Sequence, residues 1–193
     1  ILPATARMNS NTALITYGYS VGDQNMEGQA SGCDDYPGNL LGNGPANLGL
    51  SVQGHEISGA FSRQVWAARL RDIQDSNSQV IMLGEILPDR SDLMQRGWMH
   101  SDATWAATTA PINYPTLPLG KELAEASACL LPGNLATSQG FKSHHHRGAN
   151  FAFADASTGF ISEDIDYKVL QRQGDRRDGF VITGFEEREL DTV

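Results

Sequence analysis

Residues 150–162 (NFAFADASTGFIS) constrain the fold most. Apolar side chains alternate with small or polar ones on both sides of Asp155-Ala156-Ser157, and a period of two broken by turn residues is the pattern of a β-hairpin. In such a hairpin Phe151 and Phe153 face one side, Asp155 ends the first strand and accepts N–H bonds in the turn, and Phe160 returns to the core. The expected class is therefore α+β, an antiparallel sheet ending in this hairpin with short helices and long loops packed on it.

Upstream, residues 13–19 (ALITYGY) are β-branched and aromatic and end near Gly22-Asp23, which predicts a strand running into a turn. Residues 22–49, rich in Gly, Asn, Asp and Pro, predict a long loop. Residues 65–70 suggest a strand and residues 79–87 a clearer one, separated by the turn-forming run RDIQDSNS. Residues 121–131 (KELAEASACLL) have helix-forming composition and stop at Pro132-Gly133. A helical turn is expected over 165–171, a last strand over 180–183 and a solvated acidic tail over 186–193. No repeat or linker divides residues 1–193, so one domain is expected.

A net charge of −9 repels a phosphate backbone, and no stripe of basic and aromatic residues offsets it, so nucleic acid is not an expected partner. Arg172, Arg176 and Arg177 gather near Asp175 and Asp178, which reads as a salt-bridged surface turn. Cys33 and Cys129 lack the C-x-x-C spacing of zinc or redox motifs and are compatible with one long-range disulfide or with two buried thiols. No apolar run reaches the ~20 residues of a membrane-spanning helix. The chain opens on Ile1 rather than Met, which reads as a processed product or a fragment, with any signal or anchor expected upstream.

Three histidines in a row, His144, His145 and His146, offer imidazole ligands for a transition metal. On a strand His144 and His146 share a face and His145 does not. A metal-dependent enzyme using His144 and His146, with Asp155, His55 or His100 completing the ligands, is one reading. Calcium is another, held by Asp72, Asp75 and Asn77 or by Glu163, Asp164 and Asp166, although neither run follows the twelve-residue calcium loop. Exposed Trp66, Trp98, Trp105 or Tyr114 would stack on sugars, so a polysaccharide-binding module is a third, favoured if Trp98, Trp105 and Tyr114 form a flat row. His55-Glu56 lacks the second histidine of a zinc-protease helix, Gly59 standing in its place, and no other familiar catalytic motif is complete.

Three blocks in order carry a family resemblance. RDIQDSNS followed by VIMLGE (residues 80–85), then Pro111-Ile112-Asn113-Tyr114-Pro115, then residues 141–163 resemble a bacterial family of unknown function, expanded in planctomycetes, which joins a prepilin-type N-terminus to a pilin-like globular domain. The last block resembles that family's tail signature of His, nine residues and Asp-Gly, here His145 and Asp155 with Ala156 in place of Gly. QGDRRDG (residues 173–179) is similar to the family's end, whereas residues 14–60 are similar only loosely.

The resemblance implies a pilin-like domain whose prepilin helix has no counterpart in these residues, and signature positions at Asp72, Asp75, Asn77, Glu85, His145, Asn150 and Asp155. It further implies an exported, non-catalytic surface protein without a cofactor, a pseudopilin-like subunit that partners other envelope subunits or itself and meets the membrane only through the helix. Because alanine does not relieve a positive φ as glycine does, the hairpin is expected to turn differently at Ala156.

Overall fold

The computed structural model describes residues 13–26, 33, 36–121, 126–183 and 186–189, with backbone alone for 180–183 and 186–189. It is α+β. Five short strands form one sheet, β1 (Tyr17–Ser20), β2 (Ile81–Glu85), β3 (Trp105–Ala106), β4 (Gly148–Phe153) and β5 (Thr158–Ser162), in the order β3-β1-β2-β4-β5. The ladders β1/β2, β2/β4 and β4/β5 are antiparallel. β3 joins β1 in parallel, so the sheet is mixed where an antiparallel one was expected. Two helices accompany it, α1 (Leu135–Ser138) and α2 (Tyr167–Gly174). Asp166 starts α2 by accepting the N–H groups of Lys168 and Val169 at 2.9 and 3.2 Å, which satisfies two of the orphan donors of a helix start.

The hairpin is where the alternation puts it. Its register pairs Ala149 with Ile161 and Asn150 with Phe160. Ala149, Phe151 and Ile161 are buried in the main core with Ile81, Phe141 and Leu170, and Phe153 packs against it. Phe160 is opposite to expectation: it pairs with outward-facing Asn150 and is 52% exposed, while Ile161 takes the core position. Gly84 on β2 leaves room for two rings, since a Cβ there would lie 2.5 Å from Phe141 and 2.7 Å from Phe151. A second core gathers Val21, Met26, Trp105, Ala107 and Ala136.

Other expectations are corrected. Residues 65–70 form no strand: Ala67 makes one isolated bridge to Phe61, Leu70–Asp72 is a 3-10 turn, and Val65 is 97% exposed, so no apolar face exists for a ladder to bury. Of the helix expected over 121–131, residues 122–125 lie outside the described residues; Ser127 caps a 3-10 turn at Ala128–Leu130 and nothing else described there is helical. The expected tail instead contains β7 (Glu186–Glu189), which pairs antiparallel with β6 (Phe180–Thr183); residues 190–193 lie outside the described ones. Cys33 and Cys129 are joined in a disulfide across a sequence separation of 96.

The long loop is irregular over its described residues, apart from a bridge between Gln24 and Gly44 and a 3-10 turn at Asn47–Gly49. α2 holds it: Gln171 donates to the Gly38 carbonyl and accepts from the Leu40 N–H, and the Tyr167 hydroxyl donates to the same carbonyl at 2.7 Å.

Candidate functional site

The sequence blocks that stand apart along the chain converge at the base of the hairpin. β2 and β4 are paired as far as Gly84 and Phe151, and one step further the Glu85 side chain takes over as acceptor. Its Oε2 receives the Asn150 backbone N–H at 2.7 Å and the Asn150 side-chain amide at 3.2 Å, and its Oε1 lies 3.2 Å from His145 Nε2. Asn113 crosses the same base in the left-handed conformation (φ 58°), accepting the Ser143 N–H at 2.8 Å and donating to Glu163 at 2.9 Å. The Ser143 hydroxyl donates to the Gly148 carbonyl. Glu85, Asn113, His145 and Asn150 thus form one hydrogen-bonded patch, in which His145 is half-exposed and edge-on to Phe160, 6.5 Å between ring centres.

Beside the patch lies a cavity of about 130 Å³, lined among others by Arg90, Tyr114, Thr116, Lys142 and His144. Lys142 is buried, and its ammonium donates to the carbonyls of Tyr114 and Thr137 at 3.0 and 2.9 Å. Burial, with Arg90 adding repulsion, pushes this ammonium down to about 7. Nothing in the motifs signals Lys142; only the packing of its neighbours buries it.

At the tip, Asp155 Oδ1 accepts both the N–H and the hydroxyl of Ser157, and these bonds hold its carboxyl below the usual carboxylate range. The Ala156 N–H closes the turn on the Phe153 carbonyl, and Ala156 itself is left-handed with φ 66°. A turn followed by a left-handed residue is the three-residue hairpin loop whose last position glycine suits best, and here alanine occupies it.

A third group binds the start of the first block to residues 176–179. Asp75 accepts the N–H groups of Asp178 and Gly179, and Asp72 caps the Leu70–Asp72 turn through the Arg69 N–H. The Asn77 carbonyl receives the Asp155 N–H. Arg176, expected on a surface turn, is buried: its guanidinium donates to the carbonyls of Gly54, Ile57, Ser58 and Gly59 and stacks 4.7 Å over Trp66. A planar five-donor fork suits this irregular backbone as a lysine would not. Around it, burial and the nearby Asp175 push Asp23 up to about 8, and burial pushes Asp75 up to about 6 and raises Asp175.

The expected ligand sets do not assemble. His144, His145 and His146 are exposed before the hairpin base, whereas Asp155 sits at its tip, roughly 17 Å away along β4 at 3.4 Å per residue. Asp72, Asp75 and Asn77 are each engaged with a different backbone group, while Glu163 meets Asn113, Asp164 pairs with Arg147 and Asp166 caps α2. Among the described residues no group of three or more His, Cys, Asp or Glu is placed to hold a metal ion. His55 lies in a 3-10 turn and His100 3.9 Å from Asp102. Trp98 is exposed but Trp105 is fully buried beneath the Arg63 guanidinium, so no flat row with Tyr114 exists. No helix among the described residues is long and apolar enough to cross a membrane.

A protein-family model described as protein of unknown function (DUF1559) matches residues 10–168. The chain belongs to this family. The match covers the convergent patch and the hairpin tip, and it also takes in residues 14–60, which the motifs alone relate only loosely. Arg176 and the residues after α2 lie beyond it. No curated protein and no solved structure matches the chain.

Proposed function

We propose that this family member is a non-catalytic, exported cell-envelope protein, a pilin-like structural or interaction subunit that assembles with other envelope subunits or with copies of itself. What carries the reading is how the motif side chains are used. The Glu85, Asp72, Asp75 and Asp155 carboxylates all accept backbone N–H groups of their own fold, and the Asn150 amide donates to Glu85, as residues kept for architecture do. Export is supported by the Cys33–Cys129 disulfide, because such bonds persist in oxidising compartments and are rare in the reducing cytosol. The resemblance to prepilin-type proteins of planctomycetes supplies the finer term, pseudopilin-like.

Fractionation of cells producing the full-length protein, with thiols alkylated at lysis, tests both parts. The expected result is an envelope or extracellular protein with both cysteines refractory to alkylation, and crosslinking in intact cells that yields a ladder of higher species. A cytosolic protein with two reactive thiols overturns export, and an exported protein that never crosslinks overturns the subunit role.

A further inference from the structure

We propose that the cavity beside the hairpin base binds a small carboxylate, held by Lys142, Arg90 and Thr116. The charge balance points there first. In a chain of net charge −9 the residues lining this cavity include two cations, Lys142 and Arg90, and no Asp or Glu. Arg90 has a partial counter-ion, Asp89, whose Oδ2 lies 3.4 Å from its Nε on the exposed side. Lys142 has no ion-pair partner among the described residues: two of its three N–H bonds end on neutral carbonyls, and Glu85, whose backbone carbonyl accepts the Lys142 N–H, directs its carboxylate to Asn150 and His145. Burying an ammonium without an anion is costly, and an anion arriving in the cavity removes that cost.

Donors are also in place. Thr116 is 3% exposed, lines the cavity, and its Oγ1 has no hydrogen-bond partner among the described residues. The third Lys142 N–H, the Thr116 hydroxyl and the Arg90 guanidinium supply donors from three separate stretches of chain, a number that suits the two oxygens of a carboxylate. One uncompensated positive charge selects a monoanion over a phosphate dianion. Leu87 and Pro115, also lining the cavity, give a short apolar tail a surface to rest on, and about 130 Å³ accommodates an acid of a few carbons.

The chain has only three lysines, Lys121, Lys142 and Lys168, so carbon-13 NMR of the lysine side chains resolves each one in the folded, disulfide-bonded protein. Sodium propionate is the probe, against sodium chloride at the same ionic strength. The expected result is that propionate alone raises the titration midpoint of Lys142, by roughly 1 to 3 units as an anion in contact does, while Lys121 and Lys168 stay fixed. Thr116→Val should weaken propionate binding several-fold with the fold intact, and Lys142→Met, where it folds, should abolish it.

A midpoint that propionate leaves unmoved overturns the proposal. So does a shift shared by all three lysines, which is an effect of bulk salt, or an equal response to phosphate, which removes the selection for a carboxylate. Unchanged affinity in Thr116→Val removes the site as drawn.

Discussion

The hairpin base and the Arg176 knot are both built from polar side chains and serve opposite kinds of backbone. At the base, Glu85, Asn113 and Asn150 complete a ladder that β2 and β4 have already formed, close enough to water for His145 to be half-exposed. At the knot there is no ladder. Residues 54–59 run as a 3-10 turn and irregular chain, and a single buried guanidinium collects four of their carbonyls. A strand satisfies its own polar groups through its neighbour, whereas buried irregular chain depends on a side chain to do so.

Arg176→Met tests that difference hardest. It takes the guanidinium from four carbonyls, leaves that of Gly59 to find a new donor while Gly54, Ile57 and Ser58 keep the Ile57 N–H, Arg177 and the residue-176 N–H, loses the stack on Trp66, and is expected to cost about 2 to 4 kcal/mol in urea unfolding. A loss below about 1 kcal/mol would mean that the loop carbonyls find other donors, and the contrast between the two regions would fail.

Next comes pH, to which the regions respond with opposite sign. Asp23, raised from near 4 to about 8, binds a proton in the folded state that the unfolded chain has released. Its stabilising contribution is full below pH 4 and is lost as pH rises to about 8, with a slope of up to about 1.4 kcal/mol per unit. Asp75 adds the same sign between about 4 and 6. Lys142, depressed to about 7, works the other way: above pH 7 the folded state sheds a proton that the unfolded chain retains to about 10.5, and stability gains. Urea midpoints measured across pH should therefore keep in Asp23→Asn only the part of their fall between 4 and 6 that Asp75 supplies, and lose their rise above 7 in Lys142→Met.

Two smaller changes act in the hairpin half. Gly84→Ala places a Cβ against Phe141 and Phe151 and should cost about 1 to 3 kcal/mol, since both rings are locked in the core. Ala156→Gly should stabilise by about 0.5 to 1 kcal/mol, seen as a higher thermal midpoint, because it relieves the left-handed φ at slight entropic cost. No gain would show that the turn near Asp155 tolerates alanine fully.

The same division governs what the sequence discloses. β4, β5 and β2 are legible because alternation and β-branched runs are local signals, whereas Asp166, which stands among the calcium candidates, proves to be the cap that starts α2. The two residues of β3 are too few to carry a period, and they are strand only because the second core buries Trp105 beside Val21. Phe160 and Ile161 are adjacent and both apolar, so the face that turns inward is decided by register against Ala149. Arg176 reads as surface because arginine is charged; its burial depends on carbonyls more than a hundred residues away. At the candidate site Glu85, His145 and Asn150 are visible as motif positions, but their meeting with Asn113, and the cavity around Lys142, exist only in three dimensions.

The disulfide has one more consequence, for what a protease can do to the chain. The segment between Cys33 and Cys129 is a covalent ring that contains β2 and β3, while β1, β4 and β5 lie outside it and are interleaved with them in the sheet. A protease that cuts the exposed stretch around Val65 therefore releases nothing: both pieces remain tied by sulfur and by the sheet they share. Such a nicked molecule migrates as one band on a denaturing gel and as two once a reductant is added, and in an oxidising medium it persists as a working fold.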